Sequence, residues 1–159
     1  MEPTPIPIDD ANSLLAGMPT PESVHRLEDA LLQLPQVDLQ TQMLVHGGMS
    51  ARTVFVPAGT VVTGALTNLD NVCVVVGDIT ATTDAGPRRL TGVNVIPASA
   101  GFKRAAVAHA DTWWVTLHRT DLTDQQAIED EMTGEADRLQ TRTLALSAGD
   151  HPAIEGGTA

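Results

Sequence analysis

The sequence predicts a mainly β protein: a jelly-roll β-sandwich or barrel with a short helix before it and a helix after it. Three observations carry this. Short runs rich in Val, Thr and Ala recur between Val37 and Thr120, separated by Gly, Pro, Asn and Asp. No helical period lies between those runs, which argues against βαβ units. Helical spacing appears only on the two flanks. The 159 residues suffice for one domain with a genuine core plus a tail.

Residues 1–19 carry four prolines and no periodic apolar pattern, and are expected to form an extended arm. Thr20-Pro21-Glu22 reads as a helix start, with a capping hydroxyl, proline in the first turn and an acid at the positive dipole end. Val24, Leu27, Leu31 and Leu34 follow at helical spacing, and Pro35 stops the element, giving a helix within 20–36. Residues 37–120 form the barrel. Its expected strands are Met43–Val45, Arg52–Val56, Val61–Thr63, Val72–Val76, Ile79–Thr83, Arg89–Leu90, Asn94–Ile96, Arg104–Ala108 and Trp113–His118. Turns are expected at Gly47-Gly48, Pro57-Ala58-Gly59, Gly77-Asp78, Asp84–Pro87, Pro97–Gly101 and Ala110-Asp111. Trp113 and Trp114 are adjacent on an alternating strand, so one faces the core and the other needs a cover. Thr123 with Gln126 reads as a capping box opening an acidic helical segment over 121–146. Residues 147–159 read as a flexible tail.

Net charge is −11 with a sequence pI of about 4.6. From Asp121 onward nine acids face two arginines. This balance argues against nucleic acid and against an anionic membrane surface, both of which need clustered Lys and Arg. No apolar run approaches the ~20 residues that span a bilayer. The N-terminus carries no basic region followed by an apolar stretch, so no signal peptide is read and synthesis in the cytoplasm is expected. The single cysteine, Cys73, lies among valines and is expected to be buried and inert.

The order of these signals resembles the cupin superfamily, over roughly Arg52 to His118. Gly59 and Gly77 match the glycines that bound the first cupin motif, and Asp70 falls at its acidic position. The paired histidines of that motif belong within Thr63–Thr67, which reads Thr-Gly-Ala-Leu-Thr. In the second motif Arg104 takes the histidine position, and Pro97 to Gly101 is two residues longer than usual. The resemblance implies the fold. The replaced ligands argue against a metalloenzyme, because Zn²⁺ or Fe²⁺ needs three or four convergent donors and an arginine repels a cation. No cofactor is expected.

A narrower resemblance is to cupin-like proteins encoded by tailed bacteriophages. It rests on Leu34–Asp38, Gly48 to Arg52, Pro57–Thr60, Leu90-Thr91-Gly92 and Ala108–Thr112 running into His118. It implies a non-catalytic structural role in or on the virion, such as capsid decoration or cement. The partners are then further copies of this chain and a capsid or other virion protein. The location is the host cytoplasm during assembly, then the particle. The candidate interface residues are Val24, Leu27, Leu31, Trp114, Ile128 and Met132. The alternative is a divergent cupin enzyme or small-molecule binder with a pocket formed by Asp70, Lys103, Arg104 and His109. In cupins the positions of Asp70 and Arg104 face each other, so an ion pair is expected there, and an anion held by Lys103 and Arg104 is the sharper option. His25 is expected on a helix surface, with His109 and His118 as hydrogen-bonded structural residues.

Overall fold

The computed structural model describes residues 8–18 and 20–147. The chain runs α1 (Ile8–Ala16), α2 (Pro21–Leu31), β1 (Gln42–His46), β2 (Met49–Val56), β3 (Val61–Thr63), β4 (Asn71–Thr83), β5 (Gly86–Ala98), β6 (Ala105–Ala108), β7 (Thr112–Arg119), α3 (Gln125–Met132), a 3₁₀ turn (Ala136–Arg138) and α4 (Gln140–Ser147). The seven strands make one antiparallel sheet in the order β1-β2-β7-β4-β6-β3, with β5 also paired to β4. The sheet curls into an open barrel, so the predicted mainly β fold with helices at both ends is the one observed.

β4 organises the sheet. Its first half pairs with β7, from Val72↔Leu117 to Val76↔Trp113, and its second half pairs with β6, from Ile79↔Ala108 to Ala81↔Ala106. β5 runs along both halves in one register. The expected turn at Gly77-Asp78 is therefore not a turn, and two predicted strands are one. Glycine is needed at 77 for a different reason. Its φ is +147°, and a Cβ there would lie 2.4 Å from Thr112 Oγ1 and 2.7 Å from the Asp111 carbonyl. The chain passes so close to the start of β7 that no side chain fits. Arg89–Leu90 and Asn94–Ile96 likewise merge into β5, which extends through Pro97. The hairpin turn around Asp84 and the Gly47-Gly48 turn, both glycines at positive φ, stand as predicted.

The inner face carries Val56, Cys73, Val75, Ile79, Ala81, Leu90, Ala106 and Ala108 in one buried cluster, with Val54, Val62, Ile96, Ala98 and Trp114 packed against it. On the outer face, α1 and α2 lie over β3, β6 and the second half of β4. There Ala11, Leu15, Val24, Ala105 and Val107 form a second buried cluster. Part of the expected extended arm is thus a core helix. Three of its four prolines precede residue 8 and the fourth, Pro19, follows the helix, while Ala11 and Leu15 are four apart on one face, 0% and 1% exposed. Burying one such leucine contributes about 2 kcal/mol.

α2 opens as predicted: Thr20 Oγ1 accepts from the Ser23 N–H and the Ser23 hydroxyl takes the Thr20 N–H, a full capping box. α2 ends at Leu31, short of Pro35. At α3 the cap is Asp124, whose carboxylate accepts from the Ala127 N–H, and not Thr123. The expected tail from 148 onward lies outside the described residues. No helix among those described is long and apolar enough to cross a membrane.

Candidate functional site

Arg104 is the side chain that enters the barrel. It sits just before β6, and its guanidinium carbon lies 4.9 Å from the Phe102 ring centre and 5.5 Å from that of Trp114. One Nη1–H donates to the Thr82 carbonyl at 2.5 Å. Burial lowers its pKa, with Cys73 and Asp84 opposing weakly from nearby. No carboxylate pairs with it among the described residues. Stacking on two aromatic faces replaces a salt bridge.

The other three residues of the expected pocket go elsewhere. Asp70 is exposed, and its Oδ1 accepts from the Ala100 N–H at 2.8 Å, closing the loop after β5. The expected Asp70–Arg104 ion pair is absent. The loop from Pro97 to Gly101, two residues longer than the family spacing, uses the acid to satisfy its own backbone. His109 bonds Thr80 Oγ1 at 2.7 Å on the outer side, beside the Asp78–Arg89 pair. Burial lowers the His109 pKa, Arg89 adds to this, and Asp78 opposes it.

Lys103 points the opposite way from Arg104, as neighbours on an extended run do. Its side chain is 0% exposed. The ammonium donates to Glu28 at 2.9 Å, to Glu135 at 2.6 Å and to the Gly64 carbonyl at 2.8 Å. Glu28 also accepts from Thr63 and pairs with Arg138, which reaches Asp29 at 2.6 Å. Glu135 accepts from the Leu66 N–H at 2.7 Å and meets His25 Nε2 at 2.5 Å. His25, expected on a free helix surface, is thus part of this network. Burial alone would raise the Glu135 carboxyl, but the bonds from Lys103, His25 and Leu66 override it and hold it at about 2. The network clamps α2, β3 and the segment after α3 together.

A second buried polar group was not anticipated. α3 and α4 lie over the inner face of β2 and β7 and cover Ser50, Arg52 and His118. Arg52 stands 3.8 Å from Glu129, as does Arg142 at 3.6 Å, while Thr141 donates to Glu129 at 2.8 Å. Burial lowers the Arg52 pKa, Glu129 opposes this, and Arg142 adds to it. His118 is 2% exposed at its side chain and lies 3.7 Å from Glu131. Ser50 Oγ, Arg52 Nη1, both His118 nitrogens and Arg142 Nε have no hydrogen-bond partner among the described residues. His118 was expected to be hydrogen-bonded; among the described residues it meets only Glu131, at 3.7 Å. Alternation from Val54 and Val56 back to Arg52 and Ser50 was the signal that these polar residues face inward.

Among the described residues no three His, Cys, Asp or Glu side chains come together in a way that could hold a metal. A hollow of about 240 Å³ lies between α1 and the β4–β5 turn, lined by Leu15, Met18, Thr82, Asp84, Pro87 and Phe102 among others. The expected interface is also revised. Val24 and Ile128 are 0% exposed and Met132 6%, so these serve the interior of one chain. Leu27 packs against the helix cluster, Leu31 is half-buried, and Trp114 faces the barrel. Trp113 is the exposed tryptophan, at 42%, its ring centre 4.8 Å from that of Phe55.

No protein-family model matches the chain, and no curated protein does. Solved structures do. KdgF from a Halomonas species aligns with 21% identity and a TM-score of 0.46, over 57% of this chain and 87% of that one. A cupin-2 domain of an XRE family transcriptional regulator from Enterobacter cloacae aligns with 11% identity and a TM-score of 0.44, over 52% and 97%. The DMSP lyase DddQ from Ruegeria pomeroyi aligns with 18% identity and a TM-score of 0.42, over 53% and 48%. The likeness is one of fold alone, a curled, mainly β sheet of the cupin kind.

Proposed function

We propose that this chain is a non-catalytic assembly module on a cupin-like barrel and, more narrowly, a virion-associated structural protein of a tailed bacteriophage, such as a capsid decoration or cement protein. The observation that carries this reading is how the barrel interior is used. It is filled by aliphatic side chains, by Arg104 stacked on Phe102 and Trp114, and by the Ser50, Arg52 and His118 group that α3 and α4 cover, while Lys103 is spent on a clamp. The surfaces left for work are external. The narrower form draws on the motif order from Leu34 to His118 and on a net charge of −11, unsuited to packaged nucleic acid. Mass spectrometry of gradient-purified particles of the encoding phage tests it. A fixed copy number per particle supports the role; presence in the lysate but not in particles ends it.

One observation favours a second reading, a small-molecule binder. Arg104 is a largely buried cation without a carboxylate partner, beside two aromatic faces. Asp70 and His109, placed elsewhere, drop out of that site. Calorimetric titration with small carboxylates and inorganic phosphate discriminates. Saturable heat that is lost in Arg104→Met supports a binder, and its absence leaves the assembly role alone.

A further inference from the structure

The polar group beneath α3 and α4 has more donors than the chain satisfies. The register places Ser50 directly opposite His118 and Arg52 opposite Thr116, and residues two apart on a strand share a face. α3 and α4 close over them with Glu129, Thr141 and Arg142. The side chains of His118 and Arg52 are 2% and 9% exposed, and Ser50 is fully buried. Arg52 Nη1 and Arg142 Nε stand 3.8 Å and 3.6 Å from one oxygen of Glu129, too far for a hydrogen bond. That oxygen instead accepts from the Thr141 hydroxyl at 2.8 Å. Arg52 Nη1 and Arg142 Nε can only donate, Ser50 donates through its hydroxyl, and a neutral His118 carries one ring proton in either tautomer. Among the described residues these donors meet no acceptor. Unmet donors in an interior carry a desolvation cost that nothing offsets, and several together would consume much of a domain's marginal stability.

We infer that this group is a binding site for one small monovalent anion, of the size of chloride or formate, enclosed between β2, β7, α3 and α4. Charge favours an anion over water. Inside the cover two guanidiniums, Arg52 and Arg142, face one buried carboxylate, Glu129. The other acids nearby lie further out. Glu131, 3.7 Å from His118, is 32% exposed, and Asp130, which accepts from Arg142 Nη2, is 64% exposed, so water and salt screen both. A water molecule meets the hydrogen bonds but leaves the second interior cation uncompensated, whereas an anion meets both demands. The occupant is small, because directly opposed residues on paired strands hold their Cβ atoms only about 5 Å apart. The site is separate from that of Arg104. Arg104 stacks on Trp114, and His118 stands four residues further along β7, roughly 13 Å away. The anion's work is to hold α3 and α4 against the sheet, which goes beyond either reading of function above.

Thermal unfolding of the full chain tests this, with sodium gluconate exchanged for sodium chloride or sodium formate at constant ionic strength. Gluconate is too large for the site, so screening stays fixed while the small anion varies. The midpoint should rise with chloride or formate and level off, as one bound anion requires. Ser50→Ala removes one donor and fits the same space. It should weaken chloride binding roughly fivefold or more and keep the far-ultraviolet spectrum of the parent. Arg52→Met should weaken binding roughly thirtyfold or more. Arg89→Ala, which removes a cation from the outer surface, should leave the chloride response unchanged. A midpoint indifferent to the exchange overturns the inference, and so does a rise that never levels off. Chloride binding that Ser50→Ala and Arg52→Met leave intact overturns it too, as does binding that Arg104→Met abolishes, which would assign the anion to the other site. Where Arg52→Met does not fold, Ser50→Ala decides alone.

Discussion

The outer surface of the sheet has two halves that meet at Gly77, and they solve the same problem differently. Beyond Gly77, the strands present Thr80, Thr82, Ala105 and Val107, all at most 3% exposed, beneath α1 and α2. Before it, the strands present valines, Leu117 and Trp113, with no helix above them among the described residues. The bare half leaves apolar area outward. Thr80, Thr82 and Val107 match the bare half's valines in volume, so what separates the halves is the local cover and the Phe55–Trp113 aromatic pair.

The largest expected effect is on the clamp that seats the cover. Lys103→Met removes the cation between Glu28 and Glu135 and leaves two part-buried carboxylates facing each other, at a cost of about 3 kcal/mol. Arg89→Ala, at the rim of the bare half, should give no resolvable shift in the denaturation midpoint. Comparable losses from both would break the comparison. Gly77→Ala, at the boundary, should destabilise by on the order of 3 kcal/mol, because the added methyl meets backbone at 2.7 Å and 2.8 Å. Next come paired truncations. Val107→Ala should cost about 2 kcal/mol by urea denaturation, whereas Val95→Ala should change the stability of the monomer by less than about 0.5 kcal/mol. Equal values would mean that the bare half is not bare in solution.

Acid should act on the clamp before the bare half. The Glu135 carboxyl is held at about 2 in the folded chain, against 4.5 for a free group. The clamp's contribution is therefore complete above 4.5 and is lost as pH falls towards 2. His118 adds an earlier component of the same sign. Burial holds its pKa below 6.5, so the unfolded chain takes up that proton first and stability begins to fall below that pH. Thermal midpoints from pH 7 to 3 check both: Glu135→Gln should flatten the lower limb, and His118→Gln the upper one.

The fold was legible because Val- and Thr-rich runs punctuated by glycine leave few alternatives to a curled antiparallel sheet. What local reading missed has specific causes. Gly77-Asp78 has the composition of a turn, and only the approach of Thr112 from thirty-five positions on shows why glycine stands there. The four prolines masked a helix of nine residues. For Trp113 and Trp114 the alternation was visible but the direction was not, since both faces of β4 carry valine. Among the site residues, Lys103 and Arg104 were read together although adjacent residues on extended backbone diverge. Asp70 was assigned by family spacing that the longer loop before Gly101 does not respect.

Cys73 gives the molecule a built-in reporter. It is the one thiol in 159 residues and lies between β5 and β7 on the inner face, 3% exposed and 4.0 Å from Thr116 Oγ1. A disulfide reagent can reach it only when those strands part. Its labelling rate, measured against reagent concentration, therefore counts how often the barrel opens at its central seam, without any engineered probe.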